Sequence, residues 1–342
     1  MHVKLRETLT YDDVLLVPQY SNIESRSAVN IGMSMDANIF LSLPIISSPM
    51  DTVTEDKMAA AMSAAGGLGI IHRYNSIEEQ VELVSQAATI SAQYIGAAVG
   101  VTGDFKERAT ALYDAGVNVI CIDIAHGHHI LMKKALEALR LTFDDRIHII
   151  AGNIATLEGF NDLADWGADS VRCNIGGGSI CSTRTQTGHG IPGLQTIIDC
   201  SMSDRDANII ADGGVRTSGD IVKAIAAGAD FVMLGSLLSG TEETPGAVQT
   251  SPAGKKYKIY QGMASRKAQE DWKGTFSSDE GISTFVEYKG TVDNILSSLR
   301  TGIASGLSYS GCKNIAELQS CAKFVKQTNA GLVESQTHIL LK

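Results

Sequence analysis

The sequence contains no run of five basic residues, no Cys-x-x-Cys pair, and no apolar stretch near the ~20 residues a membrane span requires. Each absence excludes a class of function. With 28 lysines and arginines against 38 acidic residues the net charge is −10, so nucleic acid and anionic membrane are poor partners. Six cysteines at irregular spacing in 342 residues do not read as a disulfide framework. Met1-His2-Val3-Lys4-Leu5-Arg6-Glu7 has no hydrophobic leader, and a reduced, cytoplasmic protein is expected. Charged residues make up only 19 %, hydrophobic residues 44 %, which suits a large buried core rather than disorder.

Proline is scarce, at 6 residues, but glycine is not, at 34, and the glycines punctuate a repeat. Continuous apolar runs fall at 44–47, 68–72, 95–100, 119–125, 148–152, 170–175, 208–211 and 231–238. Segments of helical period lie between them, as at 54–65, 77–88, 106–115 and 220–227. Several of these end in an Ala-Gly or Trp-Gly step, at Gly66, Gly116, Gly167 and Gly228, where glycine supplies the left-handed residue that stops a helix. Strands buried on both faces read as continuous apolar runs, and eight alternating with helices predict an α/β fold, a (β/α)8 barrel. A doubly wound sheet would carry a Gly-x-Gly-x-x-Gly turn after its first strand, and none is present.

The spacing predicts a single domain over 1–342, with 1–43 capping the N-terminal end of the barrel and 313–342 as a tail. Residues 239–290 are an insertion after strand 8, far longer than the usual ~2–6-residue βα loop, and are expected to form a lid. A strand is predicted at 255–260, followed by a polar stretch to Gly290.

Barrel active sites lie at the C-terminal ends of the strands. There the chain offers Ser48, Met50 and Asp51; His72 and Arg73; Asp123 and His126; and Asn153. The last three strands end in Gly176-Gly177-Gly178-Ser179, Asp212-Gly213-Gly214 and Gly235-Ser236. Glycines there let backbone N–H groups reach an anion, so these three loops read as a phosphate cradle. Cys121, Cys173, Cys200, Cys312 and Cys321 read as small buried hydrophobes. Cys181 stands apart in a polar glycine loop near Thr183 and Arg184; spacing leaves a nucleophile and a structural thiol both open. His126, His128 and His129 lack a spacing that converges on a metal, and no zinc site is expected.

Thr10-Tyr11-Asp12-Asp13-Val14-Leu15-Leu16, Ser47-Ser48-Pro49-Met50-Asp51-Thr52-Val53-Thr54, Ala151-Gly152-Asn153-Ile154-Ala155-Thr156, Gly178-Ser179-Ile180-Cys181-Ser182-Thr183-Arg184, Ala211-Asp212-Gly213-Gly214 and Tyr260-Gln261-Gly262-Met263 together resemble the IMP dehydrogenase/GMP reductase family, in family order from about residue 8 to 319. The resemblance implies a purine-nucleotide (β/α)8 barrel, usually a homotetramer, with a covalent cysteine intermediate. Only 22 residues separate His72 from Ile95, where most IMP dehydrogenases insert paired CBS domains. The lid lacks the Arg-Tyr pair that activates water in IMP dehydrogenases, its only arginine being Arg266.

The resemblance therefore implies a GMP reductase; the alternatives are an IMP dehydrogenase using NAD without CBS domains, and a nucleotide-binding regulator without turnover. It implies Cys181, Thr183 and Glu280 as catalytic. Ser48, Met50, Asn153, Arg172, Ser179, Asp212, Gly214, Gly235, Ser236, Tyr260, Gly262 and Met263 would bind the purine nucleoside monophosphate. Asp123, Ile124 and Ala125 would face NADPH (NAD in the dehydrogenase). Carbonyls of Gly176, Gly178 and Cys181 would hold a monovalent cation such as potassium. Gly177 stands where relatives often carry proline or a larger residue.

Overall fold

A computed structural model describes residues 5–90, 92–276 and 279–337. The first four and last five residues of the expected cap and tail, and Ser277-Ser278 of the lid, lie outside the described residues. Eight parallel strands close a barrel: β1 (Ile45–Ser47), β2 (Leu68–Ile71), β3 (Ile95–Val99), β4 (Val119–Asp123), β5 (His148–Ile154), β6 (Ser170–Cys173), β7 (Asn208–Asp212) and β8 (Phe231–Leu234). Closure is direct, with β8 pairing β1 through Val232–Ile45 and Leu234–Ser47. Each strand coincides with a predicted run, and most stop earlier, because the run's last residues leave the ladder to line the mouth.

The outer layer includes α1 (Asp56–Ala64), α2 (Ile77–Ile90), α3 (Phe105–Asp114), α4 (Ile130–Phe143), α5 (Leu157–Asp165), a short α6 (Thr183–Thr187), α7 (Gly193–Cys200) and α8 (Ser218–Ala226). Gly66, Gly116, Gly167 and Gly228, which follow α1, α3, α5 and α8, all have positive φ, so the glycine punctuation is a helix stop as predicted. Thr156 and Thr217 cap α5 and α8, each accepting a hydrogen bond from a backbone N–H in the first turn. This is a (β/α)8 barrel.

Residues 5–43 do not act as one cap. The hairpin of Met33–Ser34 and Phe40–Leu41 closes the barrel's N-terminal end, where Met35, Ile39 and Leu41 join Ile46, Leu68, Ile210 and Phe231 in the interior cluster. Upstream, Tyr11 instead packs beside α7 and β7: a Cβ on Gly193 or Gly214 would lie 3.7 or 3.8 Å from its ring. Lys223 of α8 donates to the Tyr11 carbonyl at 2.8 Å, and Asp12 pairs with Arg216. Val14–Leu16 pairs antiparallel with Phe324–Lys326 of the tail, with Val14 buried in the main core cluster.

The insertion after β8 holds β9 (Gln249–Thr250), β10 (Lys256–Gln261), α9 (Arg266–Lys273) and β11 (Ser283–Glu287), with β10 central in an antiparallel sheet. The β10 strand was predicted; α9 and β11 were not, because both are mostly polar and exposed and carry little apolar period. The chain then returns to the barrel through α10 (Val292–Tyr309) and α11 (Ile315–Cys321). Cys321 departs from the expected buried reading: it is only half-buried, its sulfur 2.8 Å from that of buried Cys312. No described helix is long and apolar enough to cross a membrane.

Candidate active site

One cavity of about 940 Å³ opens at the C-terminal ends of the strands, and every residue singled out above as catalytic, nucleotide-binding, cofactor-binding or cation-holding lines it. At its centre Cys181 is exposed, unlike Cys121, Cys173, Cys200 and Cys312. Its thiol donates to Thr183 Oγ1 at 3.2 Å, and Thr183 Oγ1 donates to Glu280 Oε2 at 2.8 Å. Two distant segments make this relay, and backbone bonds hold them together. Ser182 N–H donates to Glu280 O at 2.9 Å, Ile282 N–H to Ile180 O at 3.0 Å, and Gly262 N–H to Ile282 O at 3.0 Å. The approach is close enough that a Cβ on Gly262 would sit 3.4 Å from the Gly281 Cα. The insertion is thus clipped onto the cysteine loop by main chain.

On one side of Cys181 the three glycine loops meet. A Cβ on Gly213 would lie 3.2 Å from Gly178 N, and one on Gly235 would meet Ser48 Oγ at 2.9 Å, Tyr260 Oη at 3.0 Å and Met50 Sδ at 3.2 Å. Bare backbone is therefore a packing requirement where Ser179, Ser236 and Tyr260 gather. Burial pushes the Tyr260 phenol up to about 12, against the opposing effect of Ser179, so at neutral pH it is a donor.

Deeper lies a charged network. Arg172 Nε and Nη2 donate to Asp212 Oδ2 at 3.0 and 2.8 Å, and Nη1 to Asp123 Oδ1 at 2.7 Å. Asn153 Nδ2 adds a third bond to Asp212 Oδ2, at 2.7 Å. All three donors converge on one oxygen, and Asp212 Oδ1 has no donor among the described residues. Asp212 itself lines the cavity. Burial opposes the charged Asp123, yet the guanidiniums of Arg172 and Arg73 outweigh it and hold the carboxyl below its usual range. Burial likewise opposes the charged Arg172, and the surrounding carboxylates raise it nonetheless.

Several expectations need correction. Arg172 and Asn153, expected to touch substrate, line the cavity and also brace Asp212; Arg172 donates further to Asp123 and to Cys121 Sγ, and Asn153 to the Asn174 carbonyl. Ser48 spends its hydroxyl proton on the Leu234 carbonyl at 3.0 Å. Arg184 does not make the Cys181 surroundings cationic. Its guanidinium turns away, to Ile175 O at 3.0 Å, Asn174 Oδ1 at 3.1 Å and Ile191 O at 2.6 Å. A Cβ on Gly176 would strike the Arg184 side chain at 2.4 Å. The glycine turn expected to hold a monovalent cation thus already has a fixed positive charge beside it, and Gly178 O accepts from Cys181 N–H. That donor set fits a second cation poorly.

Sequence reasoning also missed residues. Asn174 has φ of 142° and is buried, and its amide fills the space at Gly177, where a Cβ would lie 2.0 Å from Nδ2. The missing side chain at 177 thus makes room for this amide. Arg73 Nε reaches Asp123 Oδ2 at 3.4 Å, while Tyr74 stacks on Trp272 of α9 with centroids 4.1 Å apart and donates to the Met263 carbonyl at 2.7 Å. No local motif marks a stack formed by residues nearly 200 positions apart. Among the described residues no group of three or more His, Cys, Asp or Glu is arranged to hold a metal. His128 pairs with Asp162 at 2.8 Å, and His129 caps α4.

The family model for the IMP dehydrogenase / GMP reductase domain matches residues 8–338. An inosine-5′-monophosphate dehydrogenase of Nitrosopumilus maritimus is 35 % identical, over 99 % of this chain and 100 % of the relative. A GMP reductase of Leishmania major is also 35 % identical, over 99 % and 98 %. These alignments extend over 476 and 485 positions, so both relatives carry sequence that the 342 residues here do not match. A solved cysteine-to-alanine variant of GMP reductase from Trypanosoma brucei, in complex with guanosine 5′-monophosphate, superposes with a TM-score of 0.91 at 33 % identity over 98 % of each chain. On fold, motif order and these matches, the chain belongs to the IMP dehydrogenase/GMP reductase family, oxidoreductases of purine nucleotides that use a nicotinamide cofactor.

Proposed function

We propose that the chain is a GMP reductase, converting GMP to IMP and ammonia with NADPH through a covalent bond to Cys181. The observation that carries this reading is the Cys181–Thr183–Glu280 relay beside a lid with no water-activating Arg-Tyr pair. The lid's one arginine, Arg266, lies 4.0 Å over the Phe276 ring and does not line the cavity.

GMP sits with its phosphate on the amides and hydroxyls around Ser179, Gly214, Gly235 and Ser236, and with its ribose on Asp212 Oδ1. Cys181 attacks C2, forming the C–S bond as the C2=N3 double bond becomes single and the thiol proton passes to N3. An amine is a poor leaving group unless protonated, and Glu280 through Thr183 gives a proton to the C2 nitrogen; the C2–N bond breaks, C2=N3 re-forms as N3 yields its proton to the Glu280 carboxylate, and ammonia departs to leave a thioimidate. Asp123, Ile124 and Ala125 would hold the reduced nicotinamide, which would supply a hydride to C2 of the thioimidate. Cys181 then leaves C2 as thiolate, giving IMP. The lid carries no Arg-Tyr pair to activate water for hydrolysis of the thioimidate to XMP.

The alternative is an IMP dehydrogenase, favoured by the equal identity to the Nitrosopumilus relative. The test follows absorbance at 340 nm in parallel, with GMP plus NADPH and with IMP plus NAD+. A fall with GMP, absent in Cys181→Ala, is expected. A rise with IMP alone would establish the dehydrogenase instead.

A further inference from the structure

Cys312 and Cys321 lie outside the mouth cavity, and their sulfurs are 2.8 Å apart. Cys312 follows α10; its N–H donates to Leu307 O at 3.0 Å and its thiol to Ser310 O at 3.3 Å. Cys321 is the last residue of α11. The loop between them is ordered on its own account. Asn314 caps α11 by accepting from Glu317 N–H at 2.9 Å, the Glu317 carboxylate accepts from Lys313 N–H at 2.7 Å, and Ile315 and Leu318 are buried. The fold, rather than a bond, therefore brings the two thiols together. A buried free cysteine is ordinarily a small hydrophobe, as Cys121 and Cys200 are here. This pair differs by being asymmetric. Cys312 is buried, and burial, with the Cys321 sulfur beside it, pushes its thiol up to about 12. Cys321 is half-buried, so a small reagent reaches it first. The pair also stands where the tail meets the N-terminal strand. Gln19 Nε2 donates to Cys321 O at 3.0 Å, Val17 N–H to Lys323 O at 2.8 Å, and Gln327 N–H to Asp13 O at 2.8 Å.

We propose that Cys312 and Cys321 are a dithiol modification site, oxidised to a disulfide by exchange with a small disulfide such as oxidised glutathione, and that the bond staples the tail strand to the barrel. The Cys321 thiolate attacks one sulfur of the oxidant, which releases one glutathione thiol and leaves a mixed disulfide on Cys321. Cys312 gives its proton to solvent and attacks the Cys321 sulfur, releasing the second glutathione thiol. Two protein thiols are oxidised, and one small disulfide is reduced to two thiols. The inference is independent of the reductase reading, since neither thiol lines the mouth cavity.

The test uses the full chain carrying Cys181→Ala, which removes the exposed thiol of the mouth. After treatment with oxidised glutathione and alkylation of free thiols, peptide mapping without reduction is expected to show a cross-link between residues 312 and 321 and no glutathione kept on Cys321. Cys312→Ser should instead trap glutathione on Cys321, and Cys321→Ser should give neither cross-link nor adduct. Lys323 and Lys326 are exposed, and trypsin is expected to cut there about tenfold more slowly in the oxidised chain, with the rate restored by dithiothreitol. Glutathione kept on Cys321 without a cross-link, or both thiols alkylated as in the untreated chain, overturns the dithiol. Equal cleavage of the oxidised and reduced chains overturns the staple.

Discussion

Each end of the barrel holds a short chain of hydrogen-bonded side chains. At the N-terminal end Asp36 Oδ2 lies 2.9 Å from His148 Nδ1, and His148 Nε2 lies 2.7 Å from Ser170 Oγ. At the C-terminal end Cys181 Sγ lies 3.2 Å from Thr183 Oγ1, which lies 2.8 Å from Glu280 Oε2. On paper the first is the more familiar catalytic pattern, an acid, a histidine and a serine. None of its three residues lines the mouth cavity: Ser170 is 0 % exposed, and its oxygen also accepts at 3.1 Å from Asn208 Nδ2, which donates to the Met35 carbonyl of the hairpin as well. The second chain stands in about 940 Å³ of open space with an exposed thiol at its head. A constellation becomes a site only where a substrate can reach it and where a group is left unspent.

The comparison breaks first, and by the most, at the exposed thiol of the C-terminal end. Cys181→Ala should remove turnover by more than about a thousandfold while GMP still binds, measured by steady-state rates and by calorimetry. Any activity surviving at a tenth of the original would place the chemistry elsewhere. At the junction between site and core, Arg172→Met leaves Asp123 and Asp212 without their shared cation. A loss of about 3–5 kcal/mol in urea unfolding is expected, and a neutral result would mean that the network is not the buried ion cluster described. Ser170→Ala should leave turnover unchanged while costing about 1–3 kcal/mol through an unsatisfied His148; a loss of rate without a loss of stability would give the N-terminal chain a function.

The smallest effect is a matter of pH. Burial pushes the Asp36 carboxyl up, but the His148 ring and the N–H groups of Asn38 and Ile39 outweigh it and hold it below its ordinary 3.8. A lowered carboxyl stabilises the fold above the unfolded value and loses that contribution as pH falls through the folded one. Asp36→Asn should therefore cost about 1 kcal/mol at pH 7 and less and less as pH drops below 3.8. Urea unfolding at a series of pH values reads this directly, and a penalty independent of pH would assign the effect to packing.

Much of this contrast was legible in the sequence. The eight strands announced themselves because both faces are buried, and the helix stops because only glycine takes that turn without strain. Cys181, Asp212 and the glycine loops were found because strand ends in a barrel have a known place. What stayed hidden depends on side chains meeting across the fold. That Arg172 braces Asp212, that Arg184 braces Ile175 and Ile191, and that Tyr74 meets Trp272 follow from tertiary approach and leave no periodic trace. The helix α9 was missed for another reason: a polar, exposed helix held by one aromatic contact has almost no apolar face to read.

The central claim is that Glu280, through Thr183, serves the departing amine and nothing else in the reaction. Glu280→Gln should be compared in two experiments: steady-state oxidation of NADPH with GMP, and a single-turnover burst of NADPH formed from IMP and NADP+, which makes the Cys181 adduct without any amine chemistry. The account predicts a fall of about a hundredfold or more in the first with the burst retained in the second. Equal loss of both, or GMP turnover left intact, would contradict it.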